Sequence, residues 1–198
     1  MIPKNVHQIW LQGGSITEPL NGFVRHIAEL CTADGWVHTL WTAEDMSRLS
    51  SESYRMFQDL SVKCCNISQQ SNIARYLILR DCGGLYLDTD VELLALPEQL
   101  EGAWIPATAA MHGIGSFALA CPAHHPWAER IVAMCTEVDL SVNGTAGSKL
   151  VARSKGPDTN VWPLKTWDRN GRGVLGTHAW RGHSMGHFST PPVLQGAV

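Results

Sequence analysis

The chain has 198 residues, 44% of them hydrophobic and 17% charged, the balance of an ordinary globular protein and the size of one domain rather than of a disordered segment. Its formal net charge of −3 gives no basic footprint for nucleic acid, and no apolar run approaches the roughly 20 residues of a membrane-crossing helix. Six cysteines without any C-x-x-C spacing suggest neither a zinc ribbon nor a redox pair, so they are expected as free, small, buried hydrophobes.

Met1-Ile2-Pro3-Lys4 leads into a strand rather than into the apolar segment of a signal peptide, which points to a cytoplasmic chain. Val6 to Leu11 reads as that first strand, followed by a Gly13-Gly14 loop. Leu20 to Leu30 carries apolar residues at helical spacing (Phe23, Ile27, Leu30), and Trp36 to Trp41 reads as a second strand. This β-α-β opening favours a parallel sheet with flanking helices, an α/β fold. Residues 44–60 read as a broken helix. A further helix is expected from Ser71, as N-cap, to the Gly83-Gly84 pair that would stop it.

Directly after those glycines comes Leu85-Tyr86-Leu87-Asp88-Thr89-Asp90-Val91-Glu92, read as one strand. Alternation along it would put Asp88 and Asp90 on the face of Tyr86, with Leu85, Leu87 and Val91 turned into a core. Two carboxylates on one face can meet one hard cation such as Mn²⁺ or Mg²⁺, leaving positions for water and phosphate oxygens. The same pattern also suits the polar side of a half-buried strand, and a bare D-x-D does not decide between the two. Asn72, Arg75 and Leu79 lie on one helical stripe, and Arg75 can reach the pair only if helix and strand are antiparallel neighbours. Beyond it, Ala103 to Thr108 and Phe117 to Cys121 are short strand candidates. Pro126 to Val138 reads as a helix with proline in its first turn, and from about residue 143 long loops are expected over the site.

Ile2-Pro3-Lys4-Asn5-Val6-His7-Gln8-Ile9-Trp10, with the run Ser71 to Asp90 following S-D-x-x-R-Y-x-x-L-x-x-x-G-G-x-Y-x-D-x-D, closely resembles the DXD-containing glycosyltransferase family 32. That family includes fungal α-1,6-mannosyltransferases and bacterial polysaccharide and viral members. A weaker match lies in Gly156-Pro157, His178 and Ser184, with Met185 where the family has Trp. Asn72 departs from the pattern, which usually has Asp there to bind a hydroxyl of the donor sugar.

The resemblance implies a single-domain GT-A fold, Rossmann-like with a mostly parallel central sheet, spanning residues 1–198. It implies metal-dependent, retaining transfer of a sugar from a UDP- or GDP-sugar to a glycan hydroxyl. Asp90 would bind Mn²⁺ or Mg²⁺ directly, Asp88 through water or the ribose hydroxyls, and His178 as a further metal or diphosphate contact. Arg75 would meet the donor sugar or phosphate. With Asn72 these carboxylates and Arg75 make up the catalytic set, and Trp10 (against the base), Gln8, Tyr86 and Gly84 the donor-binding set. His7 and Gln8 alternate faces, so only one of them can point at the donor. The missing membrane anchor of the fungal members fits a bacterial or viral origin.

Other readings attach to the same residues. Trp10 and Tyr86 could be core residues, and Arg75 a solvated helix arginine. His178, His183 and His187 could form a zinc site or a polar tail. Asp88 and Asp90 also resemble the nucleophile and acid/base of haloacid-dehalogenase-type phosphohydrolases, although Glu92 departs from that pattern. A non-catalytic nucleotide- or glycan-binding relative is the third possibility. Donor, acceptor, linkage and oligomeric state are not readable from the sequence.

Overall fold

A computed structural model describes residues 1–109, 113–167 and 175–178, without the side chains of Thr177 and His178. Strand β1 (Asn5–Ile9) leads through helix α1 (Leu20–Ala33) to β2 (Val37–Trp41), the expected β-α-β opening, with β1 and β2 parallel. The stretch read as a broken helix is a short 3₁₀ turn (Asp45–Arg48) and α2 (Ser51–Ser61).

Helix α3 (Ile67–Cys82) begins four residues before the expected Ser71 cap. Asn66 does the capping instead, its side chain accepting from the Gln69 N–H at 3.0 Å, a better outcome for a helix whose first-turn donors would otherwise be buried. The stop is as read: Gly83 sits at φ 62°, and a Cβ there would lie 2.4 Å from the Ala123 nitrogen. Glycine is therefore required both by conformation and by space.

Strand β3 (Gly84–Leu87) is shorter than the sequence suggested, ending before the aspartates. Residues 88–90 form a turn closed by Val91 N–H donating to the Asp88 carbonyl at 3.1 Å, and β4 (Val91–Leu93) leaves the main sheet to pair with β8 (Gly176–His178). The remaining elements are β5 (Ala103–Pro106), β6 (Ala118–Cys121), α4 (Pro126–Cys135), α5 (Ser148–Ser154) and β7 (Thr159–Trp162). Helix α5 and strand β7 stand where only loops were expected. Their polar, glycine-rich flanks hide short elements that tertiary packing holds: Leu150 and Val151 are fully buried, and β7 pairs with β5 along its whole length.

The main sheet has the order β2-β1-β3-β6-β5-β7, with β6 antiparallel to both of its neighbours and the other pairings parallel. Alternation divides its side chains between two cores. Tyr86, Leu119 and Cys121 face the core that holds the buried sides of α2, α3, α4 and α5, while Leu85, Leu87, Ala118 and Ala120 face α1, β4 and Trp162. All six cysteines are free, as expected; Cys31, Cys121 and Cys135 are buried. Among the described residues no helix is long and apolar enough to cross a membrane.

Candidate functional site

Strands β1, β2 and β3 run parallel, and the chain steps from β1 to one side (β2) and then to the other (β3). The crevice between the carboxyl ends of β1 and β3 is thus a switch in strand order, where open α/β sheets bind ligands. Trp10 leaves β1 there, and Asp88 leaves β3.

Helix α3 runs antiparallel to β3, because only the Gly83 turn separates them. Counting back from that turn, Arg75 lies about 10 Å along the helix and Asp88 a comparable distance along the strand, so the two meet. Arg75 Nη1 is 3.1 Å from Asp88 Oδ1 and also donates to the Ser116 carbonyl. Its guanidinium carbon sits 4.5 Å above the Tyr86 ring, a cation–π arrangement. The Tyr86 hydroxyl donates to the same Asp88 Oδ1 at 2.6 Å. Burial alone would lower the pKa of Arg75, but the neighbouring Asp88, two tyrosines and Asp90 carry it upward, keeping it a permanent cation. Burial foremost, helped by Asp88, raises Tyr86 well above its usual range, so it stays a donor.

These contacts correct the strand reading of the acidic pair. Asp88 and Asp90 are brought to one place by a tight turn, not by a two-residue strand repeat. Tyr86, only 2% exposed, orients Asp88 from below instead of lining an open pocket.

Gln8 and His7 are likewise beneath the site, and neither is exposed. Gln8 Nε2 donates to the Asp88 carbonyl at 3.3 Å. His7 Nδ1 accepts from Trp41 Nε1 at 3.1 Å while its Nε2 lies 2.9 Å from the Gly83 carbonyl, the pattern of a neutral Nε2–H imidazole. Burial lowers its pKa to about 4. Gly84 is held by packing, since a Cβ there would come within 2.6 Å of the Asn5 carbonyl oxygen. Trp10 is half-buried, its indole donating to the Gly13 carbonyl at 3.2 Å. Asn72 lies one turn before Arg75, 8% exposed, its Nδ2 3.5 Å from Gln69 Oε1.

The backbone of His178 falls in β8 opposite Val91, the residue after Asp90. His183, Ser184, Met185 and His187 lie outside the described residues.

Two groups escaped the sequence reading. Ser116 and Phe117, ahead of β6, supply carbonyls to Arg75 and to the Asp88 N–H, the latter at 2.8 Å. Gln69, fully buried, donates to Val142 O and Thr145 Oγ1 and accepts from Ala146 N–H, pinning the 142–146 loop beside Asn72. Nothing local marks either, because the partners of each are distant in sequence.

Residues 19–106 match the family described as a glycosyltransferase sugar-binding region containing a DXD motif, and this span includes α3, the glycine turn and both aspartates. Over that stretch the chain is similar to the DXD-motif glycosyltransferases. It is 31% identical over 91 residues to inositol phosphoceramide mannosyltransferase 1 of Schizosaccharomyces pombe, covering 46% of this chain and 28% of that protein. To inositol phosphoceramide mannosyltransferase 3 of the same yeast it is 28% identical over 138 residues, 66% of this chain and 36% of the relative. The chain thus spans about a third of the length of these curated relatives. Both are fungal, and neither supports a bacterial or viral origin. A solved structure described as PaToxG glycosyltransferase superposes with a TM-score of 0.60 at 16% identity, over 77% of this chain and 68% of that one, a likeness of fold. The α/β architecture is accordingly of the GT-A type.

Proposed function

We propose that this protein transfers a sugar from a UDP- or GDP-sugar to an acceptor hydroxyl on a glycan, with retention of configuration and with the help of Mn²⁺ or Mg²⁺. The observation that supports it most is the Asp88–Asp90 turn at the β1/β3 switch point, with a buried Arg75 held against Asp88. The donor set fits a hard divalent cation. Among the described residues no group of three or more His, Cys, Asp or Glu could hold a metal, so a cation on these two carboxylates would complete its shell with phosphate oxygens and water, the usual habit of Mg²⁺. Asp90 would hold it directly and Asp88 through its second oxygen or a water, with His178 on the adjoining strand as the expected further contact. Such a cation takes up charge on a departing diphosphate, an effect worth several kcal/mol.

The chain's own residues do the positioning. Arg75, a planar fork of donors beside the pair, suits the diphosphate or the donor sugar. Half-buried Trp10 at the crevice offers a face to the base, and Asn72 an amide to a sugar hydroxyl. The relatives' names put mannose first among sugars to try. Retention is carried over from the family resemblance, with a same-face return in which the leaving diphosphate assists deprotonation of the acceptor. The phosphohydrolase alternative needs Asp88 as a nucleophile, and two donors on its Oδ1 do not favour that.

The test is release of nucleoside diphosphate from a panel of UDP- and GDP-sugars, GDP-mannose included, with and without Mn²⁺ and with Asp90→Ala as control. Hydrolysis of one donor, lost in the variant, is the expected result. Silence across the panel with retained nucleotide binding would replace this reading by the non-catalytic one.

A further inference from the structure

The turn that carries the two carboxylates is held from three sides. The Asp88 N–H is fixed to the Phe117 carbonyl, and the Asp88 carbonyl accepts both Val91 N–H, which closes the turn, and Gln8 Nε2. Gln8 is wholly inaccessible to bulk solvent, and both ends of its carboxamide are met by protein groups. Its Oε1 is satisfied by His38 Nε2 at 3.0 Å, from the edge strand β2. Strand register explains the meeting: His38 pairs with Val6, two residues before Gln8 on the same face of β1.

A buried primary amide has two nearly isosteric ends, and shape alone does not decide which faces Asp88. Turned the other way, Gln8 would present an oxygen to the Asp88 carbonyl, acceptor against acceptor. The Asp88 carbonyl, which can only accept, selects the Nε2 end, and His38 as its Nε2–H tautomer gives the opposite Oε1 a donor, so that both ends of the carboxamide are satisfied in one orientation only. We propose that His38 is a positioning residue for the acidic pair, acting through Gln8 on the carbonyl of Asp88 and so on the turn that presents Asp88 and Asp90. Its consequence for cation binding rests on the function proposed above; the restraint on the turn does not.

The experiment compares the wild-type chain with His38→Phe, which keeps a ring and loses the donor, and His38→Gln, which restores an amide donor. Hydrogen exchange of the metal-free protein reads the Val91 and Asp88 amides in the peptide covering residues 86–93. In His38→Phe these amides should exchange roughly three- to tenfold faster, the worth of about one hydrogen bond, while peptides from β1 and β2 stay at wild-type rates. His38→Gln should recover most of the protection. Mn²⁺ affinity in the presence of UDP or GDP, read from the signal of free Mn²⁺ in electron paramagnetic resonance, should weaken by a similar factor in His38→Phe alone. Unchanged turn protection in His38→Phe would overturn the proposal, as would a loss spread evenly over the sheet, the mark of packing only. If the exchange result holds but the wild-type protein binds no Mn²⁺, the positioning stands and the metal-dependent reading falls.

Discussion

Acid should destabilise this protein through His7 before it reaches most carboxylates. In the folded chain His7 is 3% exposed, and burial, foremost, holds its pKa near 4 against an ordinary 6.5; the Gly83 carbonyl opposes that lowering and His38 adds to it. Between those two values the unfolded chain binds a proton that the folded chain refuses, so stability falls as pH falls. The contribution is fully present above pH 6.5 and lost on approaching pH 4. At about 1.4 kcal/mol per pH unit the interval amounts to at most about 3.5 kcal/mol. The geometry agrees with the sign, because a proton on Nδ1 would set one donor against the Trp41 indole N–H that now donates to it. Urea unfolding followed by tryptophan fluorescence at pH 7, 6, 5 and 4.5 measures the loss, with His7→Gln as the non-titrating comparison. His38 and His125, both also lowered by burial, contribute to both proteins and cancel in the difference. Parallel stability profiles for wild type and His7→Gln would refute the argument.

Tyr86→Phe should cost about 1.5–3 kcal/mol in urea unfolding, since it deletes a buried donor to an ionised carboxylate; a loss under about 0.5 kcal/mol would show that Arg75 alone sets Asp88. Gly83→Ala and Gly35→Ala separate crowding from backbone strain, because both glycines have positive φ but a Cβ at Gly35 meets nothing within 4 Å. The first should cost well over the second, whose penalty should be about 1 kcal/mol, and equal melting temperatures would contradict the packing. Asn72→Asp, beside Gln69 and one turn from Arg75, should shift the order of preferred sugars in the donor-hydrolysis panel without large change in the preferred nucleotide.

What the sequence disclosed follows from where its signals are local. The β-α-β opening, the glycine stop of α3 and the nearness of Arg75 to the acidic pair are all encoded within short stretches, by hydrophobic period and turn chemistry. The end of β3 at Leu87 was not legible, because Leu-Tyr-Leu-Asp-Thr-Asp-Val continues a period of two, and only the turn closed by Val91 N–H on the Asp88 carbonyl and the pairing of β4 with β8 break it. Strand β7 and helix α5 were hidden for the same reason: their partners, β5 and α4, are distant in sequence. The roles of Gln8 and Tyr86 were misplaced toward the ligand side. Residue types rich in hydrogen-bonding groups look like ligand contacts in a sequence, whereas in this fold both spend those groups on Asp88 from beneath.

That expenditure divides the two aspartates. Asp88 Oδ1 already receives Arg75 and the Tyr86 hydroxyl, and its charge compensates an arginine whose side chain is only 5% exposed. Asp88→Asn would therefore leave a buried cation without its nearest anion, and breaking such a pair costs about 3–5 kcal/mol where burial is complete, less here because the Asp88 side chain is 26% exposed. It should lower the melting temperature and weaken Mn²⁺ binding together. Asp90, two residues on, adds less to that compensation than Asp88 does, so Asp90→Asn should abolish most Mn²⁺ affinity with a smaller change in melting temperature. Calorimetry and Mn²⁺ titration on the two variants read both quantities. If the two substitutions moved stability and affinity in the same proportion, the separation of a structural first carboxylate from a cation-holding second one would be wrong, and the turn would act as one indivisible ligand.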